Sequence, residues 1–235
     1  MRGPAKLADQ DAHADFRDLF RVAAMSDATS TVLVIDDDPD LRASVGRLLR
    51  SLGINAQLFG SISEFMKSDL PDCPTCLVLD IRMPGQSGLD LQRELAAANR
   101  EIPIIFVTGH GDIPMSVQAM KRGAIEFLTK PFRDQDLLDA IELGLSRDRA
   151  RRENDKDLAA LRERFASLSP REREIVIQVA RGRLSKQIAH EIGIAEATVK
   201  VHRSRAMQKM QAGSLPELGR MADKLKLVPD TSQRS

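Results

Sequence analysis

Five short, largely apolar runs separated by amphipathic stretches, four of them ending on polar residues, constrain this chain more than any other feature. The runs are Val32–Ile35, Ala56–Phe59, Cys76–Leu79, Ile104–Val107 and Ile125–Leu128. They are too short for ordinary helices, and their largely apolar character, unbroken in the first, third and fourth, predicts the strands of a sheet covered on both faces. Helices with readable starts lie between them: Asp38-Pro39 before Leu41–Leu52, a Ser61-x-x-Glu64 capping box, Ser87 before Leu89–Ala98, and Asp112 before Met115–Met120. Gly53 and Gly123 read as C-terminal stops. The alternation predicts an α/β fold, a doubly wound parallel five-stranded sheet with helices on both faces.

Parallel strands bring their C-terminal ends to one edge, where open α/β sheets carry ligand chemistry. The first run ends in Asp36-Asp37-Asp38, the third in Asp80, the fourth in Thr108 and the fifth in Thr129-Lys130-Pro131. Asp80, followed by Ile81-Arg82-Met83-Pro84-Gly85, is the leading candidate. Carboxylates held together in a cleft repel one another unless protonated or bridged by a cation, and oxygen-only ligation suits Mg²⁺. A carboxylate beside Mg²⁺, a lysine and a hydroxyl has the parts for accepting a phosphoryl group. Asp80 is then the nucleophile, Lys130 and the metal neutralise developing charge, and Thr108 donates to a phosphoryl oxygen. Taken alone, Asp38 reads as a helix cap, Thr108 as a strand-end residue, Phe127 as core and His110 as a loop residue. Their joint placement points to phosphoryl acceptance.

Charge divides the chain. Residues 1–160 carry 20 Lys+Arg against 26 Asp+Glu, and residues 161–235 carry 15 against 8. Net charges of −6 and +7 predict that only the C-terminal part meets a polyanion. No stretch reaches 18 apolar residues, so no membrane segment is expected. The opening residues mix acidic and basic side chains and fit neither a secretory signal nor a transit peptide, which points to the cytoplasm. Residues 1–29 read as a mobile tail, although Phe16, Leu19, Phe20 and Val22 could form one amphipathic turn, and Met25 offers an alternative start. Cys73-Pro-Thr-Cys76 resembles a redox pair, but Cys76 opens a strand rather than a helix, so both cysteines read as loop and core residues.

Asp134 opens a last helix with Leu137, Leu138, Ile141 and Leu145 on one face. The charged stretch from Arg147 to Arg164 is rich in helix formers and keeps Leu158, Leu161 and Phe165 in phase, so a helical linker is expected over 148–166. Unbroken, about 30 residues at 1.5 Å each would separate two domains by roughly 45 Å. Ser169-Pro170-Arg171-Glu172 is a capping box with proline at the first helical position. Helices at Ser185–Ile192 and Glu196–Met210 flank a turn holding Gly193, and Ser214-x-x-Glu217 opens another, the arrangement of a helix-turn-helix domain over 167–228. Residues 229–235 form a C-terminal tail. Val199, His202 or Ala206, and Met210 make an inward stripe on the second of these helices. Lys186, Thr198, Val199, Lys200, Arg203 and Arg205 are the candidate DNA-binding residues. No aromatic residue follows Phe165, so duplex DNA is expected rather than a single strand.

Ile35-Asp36-Asp37, Asp80 with Met83-Pro84-Gly85, Thr108-Gly109-His110-Gly111-Asp112 and Lys130-Pro131-Phe132 resemble the receiver domain of bacterial two-component response regulators, over roughly 30–147. The resemblance implies a flavodoxin- and CheY-like fold in which Asp37, Asp80 and the backbone carbonyl of Arg82 hold Mg²⁺, with Asp36 acting through water. It implies phosphorylation of Asp80 by a sensor histidine kinase, coupled movement of Thr108 and Phe127, and a cis proline after Lys130. Leu168-Ser169-Pro170-Arg171-Glu172-Arg173-Glu174, Ile188-Ala189 and Thr198-Val199-Lys200-Val201-His202 resemble the LuxR-type DNA-binding domain, and the receiver points to the FixJ-like branch. Two residues depart from that pattern: Ala195 stands where serine usually caps the recognition helix, and Ser185 where asparagine is common.

These readings combine into a phosphorylation-switched transcription factor that is not an enzyme beyond slow loss of its own phosphate. Phosphate on Asp80 would favour a homodimer through the fourth helix and fifth strand, and two recognition helices would engage promoter DNA; RNA polymerase is a further partner this allows. A receiver that masks the recognition helix until phosphorylated is a second mechanism. A DNA-binding regulator with a phosphate-insensitive receiver is the alternative function. A Mg²⁺-dependent phosphohydrolase is disfavoured, since Arg82, two residues beyond Asp80, cannot serve as the general acid.

Overall fold

Strands β1 (Thr31–Ile35), β2 (Asn55–Phe59), β3 (Thr75–Asp80), β4 (Ile104–Thr108) and β5 (Glu126–Thr129) pair in parallel in the order β2-β1-β3-β4-β5. A computed structural model describes residues 30–109 and 113–228. The expectations for the tail at 1–29 with Met25, for His110 and Asp112, and for the 229–235 end lie outside these residues. The described chain divides into two compact units, through Arg152 and from Glu153.

The first unit is the expected doubly wound sheet. Alternate residues of the central strands point to opposite faces. Val32, Val34, Cys76, Val78, Ile105 and Val107 pack on one side against Val45 and Leu49 of α1 (Pro39–Ser51) and Leu137 and Ile141 of α5 (Asp134–Ala166). Leu33, Ile35, Leu77, Leu79 and Phe106 pack on the other, with Phe65 of α2 (Ile62–Met66), Leu91 and Leu95 of α3 (Gly88–Ala97) and Ala119 of α4 (Ile113–Lys121). Both faces of β1, β3 and β4 are covered, which is why these three read as unbroken apolar runs, whereas the edge strands β2 and β5 carry the exposed Gln57 and Glu126 and are only partly buried.

The helix starts follow their caps. Asp38 accepts from the amides of Asp40 and Leu41, and Ser87 from that of Leu89. Ser61 accepts from Glu64 N, but the Glu64 carboxylate turns back to Gly60 N rather than to Ser61, one residue earlier than a capping box requires. Gly53 and Gly123 adopt positive φ just past α1 and α4. The fifth strand starts one residue later than its apolar run, because Ile125 N is spent on Ile104 O ahead of the ladder.

Helix α5 runs unbroken from Asp134 to Ala166, so the 148–166 stretch is not a separate element. Its residues through Arg152 belong to the receiver-like unit, where the buried carboxylate of Asp148 accepts from Thr75 N at 2.9 Å and from Arg151 and Arg152. Its far end supplies Leu161 and Phe165 to the second unit's core. There, α6 (Pro170–Ala180), α7 (Ser185–Ile192), α8 (Glu196–Met210) and α9 (Leu215–Lys224) close around Leu168, Val176, Ala206, Met210 and Leu218, with Ile175, Ile188 and Val199 in a second cluster. The Ser169–Glu172 capping box forms with both bonds in place.

Candidate functional site

Strand order reverses between β1 and β3, and the residues at the C-terminal ends of these two strands face the crevice that the reversal opens. Register aligns Ile35 with Leu79 and Asp80 with Val107. Asp36, one residue past β1, and Asp80, the last of β3, therefore meet across one step of the sheet. Carboxylate oxygens of Asp36, Asp37 and Asp80 lie within 4.8 Å of one another.

Lysine 130 closes the group from the end of β5. Its ammonium donates to Asp36 Oδ2 at 2.6 Å and to Asp80 Oδ2 at 2.7 Å. Lys130 N donates to Thr108 O, and the Lys130–Pro131 bond is cis. Burial pulls the Lys130 pKa down, but the hydrogen bonds it donates to Asp36 and Asp80 reverse this and leave it raised. Burial raises Asp36, and the bond from Lys130 offsets part of that rise. The ammonium thus stays charged between two carboxylates that would otherwise repel.

Backbone geometry fixes Asp80. Its Oδ1 accepts from Arg82 N at 2.9 Å, leaving Oδ2 to Lys130. A Cβ on Gly88, the first residue of α3, would stand 2.5 Å from the carbonyl oxygen of Asp80, so glycine is required for α3 to approach the end of β3 this closely. Arg42 holds the other side of the crevice, with Nη1 donating to Asp36 O. Neither Gly88 nor Arg42 was among the expected site residues. The Gly85-x-x-Gly88 spacing was a signal for the first, whereas Arg42 reads locally as an ordinary helix residue.

Each expected receiver residue has a definite place. Asp37 is exposed at the mouth, Thr108 is fully buried at the end of β4, and Phe127 is half-buried against the α3–α4 side of the sheet. Asp38 caps α1. The carboxylate set offers oxygen donors alone and lies open on the Asp37 side, which fits a hard divalent cation such as Mg²⁺.

In the second unit Gly193 stops α7 in the left-handed conformation, and the turn leads into α8. Thr198, Lys200 and Arg205 are exposed along α8, and Lys186 is exposed on α7. Val199 must be removed from the DNA-contact set: it has no exposed surface and packs with Ile175, Ile188 and Ala189, so its methyls serve the core. Arg203 is half-buried, with Nη1 donating to Ser185 Oγ at 2.8 Å, so the serine that departs from the family pattern tethers an arginine of the recognition helix. His202 is half-buried with Nδ1 unpartnered, and Ala206 supplies the inward position between Val199 and Met210. Ala195 gives no side-chain cap to α8, as its chemistry dictates. Lys209 is bound to Glu172 at 2.7 Å, and this bond, with the Ser169 N–H, lowers Glu172 to about 2.

Comparison with known proteins gives the same division. The family profile described as "Response regulator receiver domain" matches residues 32–142, and that described as "Bacterial regulatory proteins, luxR family" matches 166–222. The chain is similar to nodulation protein W of Bradyrhizobium diazoefficiens, at 50% identity over 87% of this chain and 90% of that one. It is similar to transcriptional regulatory protein FixJ of Azorhizobium caulinodans, at 42% identity over 81% of this chain and 90% of the other. Among solved structures, the response regulator StyR superposes with a TM-score of 0.73 at 49% identity, over 84% of this chain and all of that one.

Proposed function

The chain belongs to the FixJ-like response regulators, two-component transcription factors that join a receiver to a LuxR-type DNA-binding domain, and on that premise we propose that Asp80 is its phosphoacceptor and the control point of its DNA binding. The observation that carries this reading is the placement of Asp80 between Lys130 and the Asp36–Asp37 pair at the sheet's reversal point.

In this reading a carboxylate oxygen of Asp80 attacks the phosphorus of a phosphohistidine on a sensor kinase. The O–P bond forms as the N–P bond breaks, and the departing imidazole keeps the bonding electron pair. Lys130, already charged and within hydrogen-bonding distance of Asp80, faces the oxygens on which negative charge builds. Asp36, Asp37, Asp80 and the Arg82 carbonyl would hold Mg²⁺, which supplies charge neutralisation at those oxygens when bound. Thr108, buried at the end of β4, and Phe127, paired with Phe106 two residues earlier on that strand, form the element that phosphorylation biases. Val117 and Met120, large apolar residues 45% and 43% exposed on α4, give the α4–β5 surface its capacity to pair with a second copy.

Lys200 and Arg205, with Thr198 and Lys186, form the DNA-facing set, and Arg203 joins it only by leaving Ser185. A dimer would place two such helices in half-sites about 34 Å apart. Self-dephosphorylation is slow, because Arg82 offers no general base beside Asp80. Among the described residues no helix is long and apolar enough to cross a membrane, in keeping with the proposed cytoplasmic site of action.

The test is chemical. Incubation with a small acyl phosphate and Mg²⁺ should place one alkali-labile phosphate on the wild type, mapped by peptide mass spectrometry to Asp80, and none on Asp80→Asn. Label retained by the variant would refute the assignment.

A further inference from the structure

A cavity of about 280 Å³ opens at the opposite edge of the receiver sheet from Asp80, beside the first residue of β4 and the residue preceding β5. It lies wholly within the first unit. Its volume falls at the low end of ligand pockets, which sets a small occupant. The floor is aliphatic, formed by Leu95, Ile102, Ile104 and Ile125, and no aromatic residue lines it.

Four arginines line this cavity: Arg151 is engaged by Asp148, while Arg100, Arg122 and Arg147 stand around the floor. These last three are exposed, and none makes a side-chain hydrogen bond or ion pair among the described residues. Glu101 and Asp148 also line the cavity, but Asp148 is taken up by Thr75 N, Arg151 and Arg152. The balance of uncommitted charge is positive.

A polar group beneath the rim is unsatisfied as well. Gln92 is 6% exposed, and its Nε2 donates to Ala119 O and Arg122 O, carbonyls at the C-terminal end of α4, while its Oε1 has no partner. A buried acceptor without a donor is costly, and a hydroxyl would relieve it.

We infer that this cavity is a binding site for a short aliphatic hydroxycarboxylate. The carboxylate pairs with the rim arginines, the alkyl chain covers the aliphatic floor, and the hydroxyl donates to Gln92. Because Gln92 also holds the end of α4, occupancy acts on the helix that borders the Thr108 side of the sheet.

Isothermal titration of the full-length protein with 3-hydroxyhexanoate tests this, with hexanoate and inorganic phosphate as comparisons. One site per chain is expected, about tenfold weaker in Arg100→Gln/Arg147→Gln and about three- to tenfold weaker for hexanoate or in Gln92→Leu. Thermal melts confirm that each variant is folded. Absence of binding at millimolar ligand, equal affinity for inorganic phosphate, or unchanged affinity in the arginine variant would each overturn the assignment.

Discussion

Lys130 Nζ lies 2.7 Å from Oδ2 of Asp80, joining the ends of two strands that are not neighbours in the sheet. The same ammonium reaches Asp36 at 2.6 Å, so one cation balances two buried carboxylates. The arrangement stabilises the resting site and places positive charge where an acceptor needs it.

Removing that cation should therefore affect both stability and switching. Lys130→Met leaves Asp36 and Asp80 facing each other without it, and the receiver should lose about 1–3 kcal/mol in urea unfolding. Its response to a phosphate mimic should be absent. A variant as stable and as responsive as the wild type would show that the lysine is incidental.

The close approach of Gly88 leads to a second expectation. Gly88→Ala forces a methyl to within 2.5 Å of the Asp80 carbonyl, which only a shift of α3 or β3 relieves. Overpacking of this kind costs about 1–3 kcal/mol. Phosphorylation by an acyl phosphate should slow, while binding to a DNA fragment by the unphosphorylated protein should not change.

Acid sensitivity in the DNA-binding unit should trace to Glu172. The Lys209 bond and the Ser169 N–H depress its carboxyl from the ordinary 4.5 to about 2. A depressed pKa gives stability that is complete above the ordinary value and is lost as pH falls from about 4.5 towards 2. Glu172→Gln should cost about 1–2 kcal/mol at pH 7, through the lost charged half of the capping box. Circular dichroism melts against pH should show the difference between wild type and variant shrinking across that window.

The uncapped recognition helix gives the opposite sign. Ala195→Ser supplies the missing acceptor at the start of α8, whose backbone there is already extended. Stability of the second unit should rise by about 1 kcal/mol, read as a higher melting temperature. No change would mean that another group already satisfies those amides.

Much of this was legible locally. The apolar runs give the sheet, and parallel strands dictate that Asp36, Asp80, Thr108 and Lys130 share an edge, because position at a strand's end is a property of sequence. The capping signals at Asp38, Ser87 and Ser169 act over two or three residues and read directly. What escaped was set by packing at long range. Asp148 meets Thr75 across 73 residues, and Arg42 reaches the Asp36 carbonyl only once α1 has packed. Val199 was readable both as core and as a base contact, since it lies beside Thr198 and Lys200 while sharing a helical face with Ala206 and Met210. Burial decided for the core. Arg203 looked free until the fold brought Ser185 within 2.8 Å.

Sedimentation with and without Mg²⁺ and beryllofluoride, on wild type and Asp80→Asn, each with and without duplex promoter DNA, tests the central claim most directly. The account predicts that the wild type alone dimerises and gains DNA affinity when both Mg²⁺ and the mimic are present. Strong DNA binding that is unchanged in every condition and in both proteins would contradict it, leaving a DNA-binding protein whose receiver does not respond to phosphate.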